Sequence, residues 1–200
     1  LVYDGGSMEH IFDVRQVLQN VGDMLRVGGL YVGTTSANNL LGHGFYQFSP
    51  ELFYRFLCPE NGWASPAVFL CEHQRDPPRF WFVEDPSSLG RRIQIQNGAQ
   101  LNLLVVATKT NHPPSLTTPQ QSDYVVAWSG RPSANGASSA PPSGPLLQAG
   151  KSLLRSMGAG RLRDLLPRRT ATLGLDQPGI RALTVDDFMT YSIPGSAARS

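Results

Sequence analysis

Apolar residues recur along this chain in two rhythms, and the switches between them mark out the predicted elements. The clearest run is Leu101–Thr108 (LNLLVVAT), near-continuous and apolar, as a strand buried on both faces reads. Shorter runs at Leu1–Asp4, Leu30–Thr34, Pro66–Glu72 and Phe80–Val83 predict further strands. Between the first two, Ile11–Arg26 places Val14, Val17, Leu18, Val21, Met24 and Leu25 at spacings of three and four, one face of a helix. Asp13 is its expected N-cap, with Gln16 three positions on, and Gly28-Gly29 its expected left-handed stop. Strand, helix, Gly-Gly, strand is a βαβ unit, so those two strands should run parallel.

A second helix is predicted from Ser49-Pro50-Glu51, with Ser at the N-cap, Pro in the first turn and an acidic residue beside the positive end of the dipole. It carries Leu52, Phe53, Phe56 and Leu57 and should end near Cys58-Pro59. Asn61-Gly62 predicts a turn, Pro77-Pro78 a break, and Asp85–Arg92 a loop. The chain opens at Leu1-Val2-Tyr3-Asp4, which reads as the end of a strand, without an initiator methionine. That opening reads as a fragment or as a gene model that starts late. A half-sheet of this kind would expose an unpaired edge and apolar faces and should be prone to association.

Beyond Lys109 the pattern changes. Residues 110–145 hold seven prolines among Ser, Thr, Asn and Gly, the composition of a linker, interrupted only by Tyr124–Trp128 as a short docking segment. Leu146–Leu166 recovers helical spacing, weakened by Gly150, Gly158 and Gly160 at about 1 kcal/mol each relative to Ala. The last thirty residues read as a loosely patterned tail. The predicted organisation is therefore a domain over 1–109, a Pro/Ser-rich linker over 110–145, and a basic, disordered or amphipathic tail over 146–200.

Charge changes this picture in one place. The net +2 of the 200 residues conceals a split. Residues 1–109 carry 8 basic and 10 acidic side chains, whereas residues 146–170 carry 6 basic ones against Asp164 alone. A basic helix over 146–169 could touch an anionic membrane surface or an acidic partner; a solvated arm is the plainer reading. Nucleic acid is not expected, because no aromatic residue lies among 146–170 for base stacking. No run of 18 apolar residues and no signal-peptide pattern occurs, and a cytoplasmic location is expected. Cys58 and Cys71 have neither metal-ligand nor disulfide-framework spacing, so reduced structural thiols are expected and no metal site is read from the sequence.

The candidate chemistry lies just past the first two strands. Asp4-Gly5-Gly6-Ser7-Met8-Glu9-His10 leaves the first, and Asn38, Asn39, His43, Tyr46, Gln47 and Ser49 follow the second. Ligands in open α/β sheets bind outside the carboxyl ends of strands, and paired glycines let backbone approach them. Asp4 and Glu9 could equally do no more than satisfy turn and helix-start amides. His43, between Gly42 and Gly44, is the candidate general base, with a purely structural loop histidine as the alternative. His10 is expected to orient a helix start, and His73 and His112 to lie on the surface.

DGGSMEHIFDV, followed by MLRVGGLYV, resembles the fourth- and fifth-strand region of class I S-adenosylmethionine-dependent methyltransferases. ANNLLGHGFYQFSPELFY resembles a narrower bacterial subgroup, and Leu101–Lys109 resembles the strand that closes the sheet, antiparallel in this superfamily. The resemblance covers roughly residues 1–109. It implies the later part of a doubly wound, Rossmann-like α/β sheet with S-adenosylmethionine over the strand ends. Asp4, Gly5 and Gly6 would lie at the cofactor, and Asn39, His43 and Tyr46 would face a small-molecule or glycan-type acceptor. The glycine-rich loop and the ribose-binding acidic residue that the family carries upstream have no counterpart here. Gly158-Ala-Gly160 follows no predicted strand and lacks a third glycine, so it is not a nucleotide fingerprint. The alternative is a non-catalytic remnant that binds a ligand or partner.

Overall fold

A computed structural model of the chain describes residues 1–129, 175 and 177–191. The basic segment 146–169 and residues 130–145 of the linker lie outside the described residues. Six strands form one mixed sheet: β1 (Val2–Gly5), β2 (Leu30–Asn38), β3 (Ala67–Glu72), β4 (Phe80–Val83), β5 (Leu101–Thr108) and β6 (Ile180–Leu183). Their order is β1-β2-β5-β3-β4-β6. β1 and β2 are parallel, with Asp4 opposite Gly33, and every other pairing is antiparallel. The last of the apolar runs thus lies inside the sheet, between two strands that precede it. The protein is α/β in character.

Helix α1 (Val14–Met24) makes the β1–β2 crossover, capped as expected by Asp13, whose carboxylate accepts the Gln16 amide at 3.0 Å. Its stop differs from expectation. Leu25 is already extended, with φ −96° and ψ 129°, because turning there drives its side chain into the core. Gly28 (φ +78°) instead shapes the entry to β2, where its N–H donates to the Lys109 carbonyl at 2.7 Å. Helix α2 (Pro50–Phe56) starts as predicted, with Ser49 Oγ accepting the Glu51 amide at 3.2 Å. A short helix α3 (Pro86–Leu89) lies within the predicted loop at 85–92, capped by Asp85.

The main core lies on one face of the sheet, beneath α1 and α2. Leu101, Leu103, Val105 and Ala107 of β5 point into it with Tyr31, Leu70, Trp81 and Val83. The opposite face carries a smaller cluster of Ala67, Phe69 and Val106.

That second face is covered by residues expected to form part of a loose tail. β6 adds to β4, with Ile180 opposite Val83, and α5 (Val185–Met189) follows behind Thr184. Thr184 and Asp187 form a reciprocal capping box. Phe188 stacks on Phe80 with ring centroids 4.1 Å apart, and Tyr191 packs edge-on against Phe69 at 5.0 Å. These rings give the segment enough apolar surface to offset the entropy of ordering it.

The start of the predicted linker is also seated on the domain. Asn61 Oδ1 accepts the Thr117 amide at 2.8 Å, and Glu51 accepts the Ser122 amide at 2.8 Å. The docking segment forms α4 (Ser122–Trp128), tied down by Arg92 to Asp123 at 2.6 Å.

Candidate functional site

The only parallel strand pair among the described residues sets where the chemistry gathers. β1 ends at Gly5, opposite Thr34, and β2 runs on to Asn38, so both connections leave toward the same end of the sheet. After β1 the chain turns through Gly6, with φ +105°, into a 3-10 turn over Met8–His10. After β2 it runs through the loop 39–49 back over that turn.

Asp4 is buried and locally engaged. Its carboxylate accepts the Ser7 amide at 2.8 Å, the Gly6 amide at 3.3 Å and the Ser7 hydroxyl. This makes it the organiser of the glycine turn. Gly5 is exposed at the strand end, and a Cβ on Gly6 would lie 3.3 Å from Glu9 Oε1.

Glu9 is the centre of the site, although the sequence singled it out only as a turn residue. Its side chain is 3% exposed. Oε2 accepts the Thr35 hydroxyl at 2.8 Å, and Oε1 faces His43 Nε2 at 3.4 Å. Its backbone carbonyl accepts the Phe45 amide at 2.7 Å. The imidazoles of His10 and His43 meet edge-to-face with centroids 5.0 Å apart. Among the described residues, no lysine or arginine stands within ion-pair distance of Glu9. Tyr31, buried beneath this edge, has its phenol pKa pushed well above the usual value, first by burial and then by the carboxylates of Asp4 and Glu9.

The structure thus brings Asp4, Gly5, Gly6 and His43 to one edge and adds Glu9, His10 and Thr35. Asn39 is used differently. With φ +58°, it donates its amide to the carbonyls of Asn97 and Ala99, each at 2.8 Å, fastening the loop that enters β5. Tyr46 is half-buried and donates to the Phe12 carbonyl at 2.9 Å. It lines a cavity of about 450 Å³ with Phe12, Leu18, Phe48, Leu52 and Phe56, an apolar chamber beside the carboxylate–imidazole cluster. His73 is half-buried and bonded to Asn102, and His112 is exposed.

Lys109 is a second feature that sequence reading missed. It follows a strand, where a lysine ordinarily reads as solvated, yet it is 3% exposed with Nζ 4.7 Å from the Trp63 ring centroid. Gly22 of α1 makes room for it: a Cβ there would lie 3.3 Å from Nζ. Burial lowers its pKa from the ordinary 10.5, against an opposing pull from Asp23. The folded state therefore binds the proton less readily than the unfolded chain. Stability should rise with pH between the lowered pKa and 10.5, the penalty being fully present below that window. Urea unfolding across pH 7–10.5 should show this rise, and Lys109→Met should flatten it.

Comparison with protein-family models, with curated proteins and with solved structures finds no match. Among the described residues no helix is long and apolar enough to cross a membrane.

Proposed function

We propose that this chain carries part of an S-adenosylmethionine-dependent methyl-transfer site, acting on a small-molecule or glycan-type acceptor. The observation that supports it best is the placement of Leu101–Thr108. It is antiparallel and inserted between β2 and β3, the closing-strand direction that the methyltransferase resemblance implies. The site residues then cluster outside the carboxyl ends of the parallel pair, where this class of sheet holds ligands.

In this reading the glycine turn 4–6 approaches the cofactor and the loop 40–48 presents the acceptor. Bound S-adenosylmethionine would supply an activated methyl group, which the acceptor would take by displacing the sulfur as S-adenosylhomocysteine. His43, held by Glu9 at Nε2, would receive the acceptor's proton. The apolar chamber beside Tyr46 would hold the body of the acceptor.

The test is calorimetric titration of the full-length protein with S-adenosylmethionine and S-adenosylhomocysteine, followed by assay with labelled methyl donor. This chain, which lacks the family's glycine-rich loop, should bind both only weakly. With that part of the domain supplied, saturable binding of both is expected, and His43→Gln should lower kcat by roughly 10²–10⁴ while cofactor affinity holds. Absence of binding up to millimolar cofactor with that part supplied would sink the enzyme reading. A ligand-binding module would then remain, favoured by the apolar cavity beside Tyr46.

A further inference from the structure

The grouping of Glu9, His10 and His43 has a chemistry of its own. One carboxylate oxygen and one ring nitrogen from each histidine lie within 4.8 Å of one another, the single group of this kind among the described residues. We infer that it is a binding site for one divalent first-row transition ion of the zinc type, held by two imidazoles and one carboxylate.

Three observations carry this. The first is spacing. Ligand atoms about 2.0–2.1 Å from a tetrahedral ion stand about 3.3–3.4 Å apart, and Glu9 Oε1 to His43 Nε2 is 3.4 Å. His10 closes the remaining gap by side-chain rotation, which its exposure permits. The second is the carboxylate. Glu9 is buried, and its Oε2 is turned by the Thr35 hydroxyl so that Oε1 faces the imidazoles, the outer hydrogen bond by which metal-binding carboxylates are oriented. A buried carboxylate without a permanent cation beside it is costly, and a divalent ion supplies the missing charge.

The third is the fixing of the loop. His43 is not brought near Glu9 by a chance approach of surface chains. Its own N–H donates to Leu40 at 2.9 Å, Phe45 N–H donates to the Glu9 carbonyl at 2.7 Å, and Gly44 lies flat against that carbonyl. Ligands from two connections are thereby brought together beyond the end of β1.

Nitrogen and carboxylate donors together select zinc, cobalt, nickel or iron(II) over calcium or magnesium, which take all-oxygen shells. Three protein ligands leave a fourth position open for water or for an oxygen of a bound molecule. The inference stands on these three side chains and not on the methyl-transfer reading. A bound ion and a free His43 base are alternatives at the same imidazole.

The experiment is titration of the chelator-stripped full chain with zinc chloride alone, without S-adenosylmethionine. A parallel cobalt(II) titration is read by visible absorption. One equivalent should bind at micromolar or tighter dissociation constant, with the visible bands of four-coordinate cobalt. His43→Ala and Glu9→Gln should each weaken binding at least tenfold, and Thr35→Val about 10–100-fold, while His112→Ala leaves it unchanged. Glu9→Gln alters a buried group, so His43→Ala, on an exposed loop, is decisive if Glu9→Gln fails to fold. Absence of stoichiometric binding, or binding that survives His43→Ala, overturns the inference. Cofactor titration in excess chelator tests the methyl-transfer reading separately.

Discussion

Replacing Leu103 by Ala should lower stability by about 2–5 kcal/mol. Leu103 is fully buried on β5, opposite Thr35 of β2 on one side and Leu70 of β3 on the other. Its side chain lies in the main core, so the cavity left by truncation would be lined on all sides and unable to collapse. Urea unfolding should report a lower midpoint with an unchanged slope. Met24→Ala is the internal comparison. The sequence pattern places Met24 on the same inward face as Val21 and Leu25, yet it is 65% exposed because the helix ends there, and its truncation should cost under about 0.5 kcal/mol.

The second large effect is expected at Gly44. Its φ is +76°, where an L side chain is strained, and a Cβ would lie 2.6 Å from the Glu9 carbonyl oxygen. Backbone strain of this kind costs about 1–3 kcal/mol, and the clash adds to it. Gly44→Ala should therefore lift the loop from the 3-10 turn while the sheet remains intact. The readout is amide exchange. Phe45 N–H, protected by the Glu9 carbonyl, should exchange on the order of tenfold faster or more, with the β5 amides unchanged. Unaltered Phe45 exchange would mean that the loop does not depend on this close approach, and the geometry assigned to His43 would lose its support.

Much of the fold is legible in the sequence because its strands are apolar and locally patterned. Leu101–Thr108 is recognisable alone, since a strand buried on both faces can hardly hold another composition, and Asp13 and Ser49 announce their helices by capping chemistry. Ile180–Leu183 is not legible in the same way. Four residues, one of them Arg181, carry no period, and they become a strand because β4 offers an edge and Phe188 of the helix that follows stacks on Phe80. The Thr184–Asp187 capping box was the one local signal there.

The site divides along the same line. Asp4-Gly5-Gly6 and the loop around His43 are visible as polar, glycine-rich stretches placed after strands. That Glu9 and His10 face His43 is not, because positions 10 and 43 are brought together by strand pairing rather than by spacing. Asn39 shows the converse. It is conspicuous in the sequence as a polar loop residue, yet its amide is spent on the backbone of residues 97–99.

The central position of β5 also has a consequence for the order in which the protein can be made. A growing chain that has emerged through Gln100 holds two separate ladders, β1 with β2 and β3 with β4, with no hydrogen-bonded pairing between them. Neither is a stable sheet by itself, since two strands without a third rarely persist in water. Leu101–Thr108 joins them on both of its edges at once, so the core closes late and in one step. A pause in translation before residue 101 would leave two exposed apolar strand pairs waiting for the strand that belongs between them.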